Sequence, residues 1–219
     1  MSSLNPAEPS QPGVDCPFCT RLVEFRAQNR EKFPNWHNAP VSSFGDINSR
    51  LLIVGLAPGL RGANRTARPF TGDWAGDLLY QTLDRFGFSQ GAYNSRSDDC
   101  LNLVDCRITN AVRCVPPENK PIGAEVHACA PFLWAEIGAM KNLRVMLALG
   151  GLAHGAVLKV FGLKKSAFKF GHQAMHVLPE GPLLANSYHC SRYNTNTGRL
   201  TETMFENVFS EIRDHLDCS

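Results

Sequence analysis

Four short apolar runs frame this chain, and informative polar loops follow three of them. Leu51-Leu52-Ile53-Val54, Ile108 to Val112, Leu143 to Leu149 and Leu183 to Ser187 are near-continuous, as expected of strands buried on both faces. Between them, apolar residues recur at three- and four-residue intervals. Trp74, Leu78, Leu79, Leu83 and Phe86 predict an amphipathic helix over 74–86, ending near Gly87. Val126, Ala130, Leu133, Ile137 and Met140 predict another over 123–141. A Gly150-Gly151 turn opens a third, ending near Phe161, and Met204, Phe205, Val208, Phe209, Ile212 and Leu216 mark the last, over 201–216. A shorter helical stretch follows Cys19 through Arg26, whereas 31–49 and 89–105 read as irregular. Strands alternating with helices require right-handed crossovers and a parallel sheet covered on both sides. The expected fold is therefore a single α/β domain over 14–219, three-layer α/β/α around a four-stranded parallel sheet. Residues 1–13, MSSLNPAEPSQPG, have little to bury and are expected to form a disordered tail.

A parallel sheet brings three polar strand ends to one edge, where open α/β folds bind ligands. The first is Gly55-Leu56-Ala57-Pro58-Gly59, continuing through Arg68-Pro69-Phe70-Thr71-Gly72-Asp73. The others begin at Asn110 and at His189. A dinucleotide site is disfavoured, because GLAPG lacks the G-x-G-x-x-G spacing.

At 219 residues, with 43% hydrophobic and 19% charged side chains, the composition is that of an ordinary soluble globular protein. A net charge of +2 provides no global basic field, so nucleic-acid contact would have to be local. Two acid-poor basic groups, Arg61/Arg65/Arg68 and Lys159/Lys164/Lys165/Lys169, suit a phosphate backbone or, for the second, a solvated surface. No apolar run reaches the ~18–20 residues of a membrane span and no signal-peptide pattern opens the chain. A cytoplasmic monomer, nucleoid-associated in a prokaryote, is expected. Eight cysteines in that compartment argue for metal or cluster ligation over disulfides. Cys16-x-x-Cys19 with Cys114 and Cys129 could hold zinc or a [4Fe–4S] cluster, and spacing does not separate the two.

Taken together, GLAPG with GANRTARPFTGD (62–73), TNAVRCVPPENKP (109–121) and HCSRYNTNTGRLT (189–201) resemble the uracil-DNA glycosylase superfamily, specifically its family 5 branch. The resemblance runs from Cys16 almost to the end of the chain. It implies a monofunctional glycosylase that flips a deaminated base out of DNA and hydrolyses its N-glycosidic bond during base excision repair. Uracil opposite guanine or in single strands, hypoxanthine, xanthine and ethenocytosine are the implied substrates. It also implies a [4Fe–4S] cluster on Cys16, Cys19, Cys114 and Cys129, in a structural role.

Gly55, Ala57, Phe70 and Asn110 are then the base-binding residues. Phe70 would stack on the base, unless it only plugs the loop, and Asn110 offers a donor and an acceptor to the base edge. His189 would hydrogen-bond the developing anion of the leaving base. Where superfamily members carry a water-positioning acid or amide in the first motif, this chain has Leu56 and Ala57. Asp73 is the nearest acidic substitute, although an N-cap aspartate would look the same, and Asn64 is a polar second. Gly59, Ser191, Arg192, Asn194 and Thr195 are candidate DNA contacts, with a wedge side chain somewhere in 191–195. Cys190 replaces the proline expected after the histidine, which loosens that turn. Two rival readings are a non-catalytic iron–sulfur DNA-binding protein and a covalent uracil trap through His172.

Overall fold

A computed structural model describes residues 9–179 and 181–218. In chain order its elements are α1 (Thr20–Lys32), β1 (Leu51–Gly55), α2 (Ala63–Thr66), α3 (Trp74–Arg85), β2 (Ser89–Gln90), β3 (Asn102–Leu103), β4 (Cys106–Asn110), α4 (Gly123–Ala139), β5 (Val145–Leu149), α5 (Gly151–Val160), β6 (Met175–Val177), β7 (Leu183–Ser187), α6 (Arg192–Asn196) and α7 (Glu202–Asp217). The main sheet runs β4-β1-β5-β7-β6. β1, β4, β5 and β7 are parallel, with Gly55 beside Asn110 and Leu149 beside Ser187. The three polar strand ends therefore leave one edge of the sheet.

Alternate β1 side chains serve two cores, as strand geometry dictates. Leu51 and Ile53 pack with Leu79 and Leu83 of α3 and with Phe205 and Phe209 of α7. Leu52 and Val54 pack with Leu133 and Ile137 of α4 and with Ala153 and Val157 of α5. This is the expected three-layer arrangement.

The sheet departs from the expected four strands by a fifth. β6 pairs antiparallel with β7 at the edge and leaves Val177 largely exposed, so no apolar run announces it. β4 starts at Cys106, two residues before the apolar run, because buried Arg107 belongs to the strand. Its Nε donates to Glu136 of α4 at 2.7 Å; Thr109 donates to the same carboxylate and Arg113 pairs with it. Buried charges are tolerated only when paired in this way. α1 outlasts its predicted end at Arg26 because its buried face is Leu22, Arg26 and Asn29, which is not an apolar stripe. The irregular 89–105 segment contains the small β2–β3 hairpin.

The expected tail lies outside the described residues over 1–8. Beyond it Pro9 is buried and Gln11 accepts from Arg113 Nη1 at 2.9 Å, so this part packs on the domain rather than trailing from it. Among the described residues no helix is long and apolar enough to cross a membrane.

Candidate active site

The loop after β1 meets Asn110 through a missing side chain. A Cβ at Gly55 would lie 2.4 Å from Asn110 Oδ1 and 2.7 Å from Phe70 Cζ. Only glycine lets the amide and the ring converge here. Phe70 is buried with φ of +52°, a conformation that costs a bulky residue about 1–3 kcal/mol. Its surroundings hold it there. Tyr80 donates to Pro69 O at 2.7 Å, Tyr93 donates to Phe70 O at 3.3 Å, and the backbone of Gly76 passes where a Cβ would overlap Phe70 O.

Arg68 belongs to this support and not to a phosphate-binding patch. It is buried, forms a two-pronged ion pair with Asp99 (2.6 and 2.8 Å) and lies against the rings of Phe44, Tyr80 and Tyr93. The guanidinium holds Asp99 far below the usual carboxylate range. Of the first basic group, Arg61 and Arg65 alone remain on the surface.

Asp73 occupies the N-cap position of α3 but its side chain makes no capping hydrogen bond. Burial raises its pKa, opposed by the N–H groups of Gly76 and Ala75 facing the carboxylate. Oδ1 is buried with no hydrogen-bond partner among the described residues. Oδ2 lies against bare backbone, since a Cβ at Gly62 or Gly59 would come within 2.2 or 2.8 Å of it. The carboxylate thus faces the first-turn N–H groups as a cap would, yet leaves Oδ1 without a partner among the described residues. Asn64, the alternative water-positioning residue, is buried and donates to Asn38 Oδ1 at 2.9 Å, so it is committed elsewhere.

His189 follows β7, with its ring 6.0 Å from that of Phe70 and inclined by 29°. Burial pushes its pKa below the ordinary imidazole value, leaving a neutral ring with one N–H to offer. The turn is held without proline. Cys190 is fully buried and its thiol donates to Ala75 O at 3.4 Å, while Asn194 Nδ2 donates to His189 O at 2.8 Å. Ser191 caps α6 by accepting from Asn194 N. Trp74 ties the two walls together: its Nε1 donates to Thr195 Oγ1 at 3.0 Å and the Arg192 guanidinium lies over its ring.

These groups enclose one cavity of about 430 Å³, within the usual range for a small-ligand site. Its lining includes Ala57, Gly59, Phe70, Asp73, Asn110, His189, Ser191 and Arg192 from the expected set. Gly55 lies behind Asn110 and Phe70. Asn194 and Thr195 brace the wall from outside, and the four candidate cysteine ligands lie elsewhere. Trp74 and Asn119 also line the cavity although no sequence signal singled them out.

A sequence profile described as the Uracil DNA glycosylase superfamily matches residues 42–213, a span that contains every lining residue. The chain belongs to the uracil DNA glycosylase superfamily. It is 46% identical over 204 residues to the type-5 uracil-DNA glycosylase of Thermus thermophilus, covering 90% of this chain and 92% of that one. It is 41% identical to the type-5 enzyme of Pyrobaculum aerophilum (88% and 86% covered) and 41% identical to that of Mycobacterium bovis (90% and 77%). Membership in this branch makes the chain an enzyme of the DNA glycosylase class.

This superfamily member gathers the four candidate cysteine ligands on the α1 side of the molecule. Cys114 and Cys129 are buried with Leu22 and Val112, and Cys19 packs against them. Arg26 Nη2 donates to Cys16 O at 3.1 Å and its Nη1 lies 3.8 Å from Cys114 Sγ. Burial, reinforced by the neighbouring thiols, pushes Cys19 up to about 11 and Cys114 up to about 12. All four are free thiols. Among the described residues no three His, Cys, Asp or Glu side chains are closed tightly enough to grip a metal ion as they stand. The donor set, all sulfur with an arginine beside it, has the chemistry of a soft-metal or iron–sulfur site.

Proposed function

We propose that this protein excises uracil, and other deaminated bases such as hypoxanthine and xanthine, from DNA, leaving an abasic site for base excision repair. The observation that carries this reading is that Phe70 and Asp73 of the loop after β1, Asn110 at the end of β4 and His189 after β7 line one cavity. An extruded base stacks on Phe70 while the Asn110 amide pairs with its edge. As the bond from C1′ to the base nitrogen breaks, its electron pair leaves with the base and negative charge grows on a base oxygen. The neutral His189 ring donates its N–H to that oxygen. Asp73 accepts the proton of a water that adds to C1′, using an oxygen with no protein partner. Tyr193 is highly exposed on α6, beside Arg192 of the cavity wall, and would fill the gap in the base stack.

Purified protein should release free base from uracil- and hypoxanthine-containing duplexes, leaving alkali-labile abasic strands on denaturing gels. No released base would overturn the reading in favour of a binding protein, and a protein–DNA adduct in favour of a covalent trap. The trap loses its candidate on geometry. His172 Nδ1 accepts from Tyr188 N and its Nε2 donates to Met204 O, each at 3.2 Å, so neither nitrogen is free to attack.

We further propose that Cys16, Cys19, Cys114 and Cys129 hold a [4Fe–4S] cluster, which supplies a cross-link rather than a redox step. It would join the segment before α1 to the loop after β4 and the start of α4. Cys129→Ala should abolish the brown colour and visible sulfur-to-iron absorbance and lower the iron content. Unchanged absorbance, or zinc in place of iron by elemental analysis, would overturn this assignment.

A further inference from the structure

A second cavity, of about 250 Å³, opens beside the base pocket and shares Leu56 and His189 with it. None of the chemistry above uses it. Leu149, Gly150 and Gly151 form its floor, and Phe170, Tyr188, Asn194 and Arg199 stand around it. Gly151 abuts the Phe170 ring, where even a Cβ would sit at 3.4 Å. Phe170 also packs against Tyr188, ring centroids 6.1 Å apart, and Tyr188 has two further partners. The His172 ring lies parallel to Tyr188 with centroids 5.1 Å apart at 22°, and the Arg199 guanidinium carbon lies 4.7 Å from the Tyr188 ring centre. Arg199 is exposed, and no carboxylate pairs with it among the described salt bridges. A planar cation backed by an aromatic ring and open to solvent is a surface on which a nucleobase stacks.

Resting on the glycosylase reading, we propose that this cavity receives the base of the nucleotide next to the excised one when that neighbour is unpaired. In a duplex the neighbour stays paired and stacked. In a single strand it is free to turn into the cavity as the next tier on Arg199. The cavity is therefore a single-strand subsite that adds affinity without touching the reacting atoms.

The test uses single strands with one uncleavable 2′-fluorinated deoxyuridine, in which the 5′ or the 3′ neighbour is replaced by a baseless tetrahydrofuran spacer. Affinity is measured by fluorescence anisotropy for wild type, Arg199→Gln and Arg199→Lys, and again on duplexes. The spacer on one side only should weaken wild type about tenfold. Both variants should show the same loss on the intact strand, and no further loss with that spacer. Duplex affinity should stay within about twofold throughout. Arg199→Lys keeps the charge and loses the plane, so a lysine variant indistinguishable from wild type would mean a phosphate contact and would overturn the proposal. Spacer-independent binding by wild type would also overturn it, as would losses that multiply or an equal loss on duplex. Because no cleavage is needed, these readings are separate from the base-release assay that tests the activity itself.

Discussion

Replacing His189 with alanine is expected to slow single-turnover release of uracil by about 10²–10³-fold, with affinity for an uncleavable uracil duplex within about threefold of wild type. The asymmetry follows from what the ring does. In the proposed mechanism its N–H meets an oxygen that carries full negative charge only as the glycosidic bond breaks, so the bound ground state would lose little. Equal losses in rate and affinity would mean that the ring only supports the turn. The protonation state gives a second check. Burial depresses the His189 pKa, so the neutral ring already predominates at the ordinary imidazole value of ~6.5. Wild-type single-turnover rates should therefore not decline as pH rises from about 6.5 to about 8. A decline there would identify a charged imidazolium as the working form.

The second large effect belongs to Asp73. Asp73→Asn should lower the single-turnover rate by ~10²–10⁴-fold, the range of a positioned general base. Burial raises the Asp73 pKa, and the proposed active form is the carboxylate, so the wild-type rate should fall as pH drops through that raised value. The variant should lack this acidic limb. Stability should move the other way. The folded-state pKa lies above the unfolded one, so ionised Asp73 costs stability; the cost is absent below the unfolded value and complete above the folded one. At neutral pH Asp73→Asn should therefore have a Tm no lower than wild type, measured by differential scanning calorimetry. A variant that is both slow and clearly destabilised would restore the helix-capping explanation.

The visibility of these features in the sequence depended on how far away their partners lay. β1, β5 and β7 were legible because strands buried on both faces cannot conceal their apolarity. β4 was blurred at its start because Arg107 is neutralised by Glu136, 29 residues on. Arg68 read as a free cation for the same reason, since Asp99 lies 31 residues away. The core of the candidate site could be found because Phe70, Asn110 and His189 belong to loops leaving one sheet edge. Trp74 was hidden in plain view: a tryptophan opening an amphipathic helix reads as core until its indole is seen bonded to Thr195. Asn119 sits in a turn with φ of +56° and gave no periodic signal at all. The role of Asp73 could not be separated from capping by residue type: first-turn N–H groups face its carboxylate, as a cap requires, while Oδ1 has no partner among the described residues, as a water-positioning group requires.

The thiol of Cys190 is next to His189 in sequence and close enough to Asp73 to sense its charge. A cysteine there would ordinarily be a liability, since thiolates are the form that oxidants attack. Here burial pushes the thiol up to about 12 and leaves it no solvent-exposed surface, so at neutral pH it carries essentially no thiolate. The turn that presents His189 is thus fastened by a sulfur shielded from solvent. Its geometry should withstand the oxidising conditions under which DNA itself is damaged.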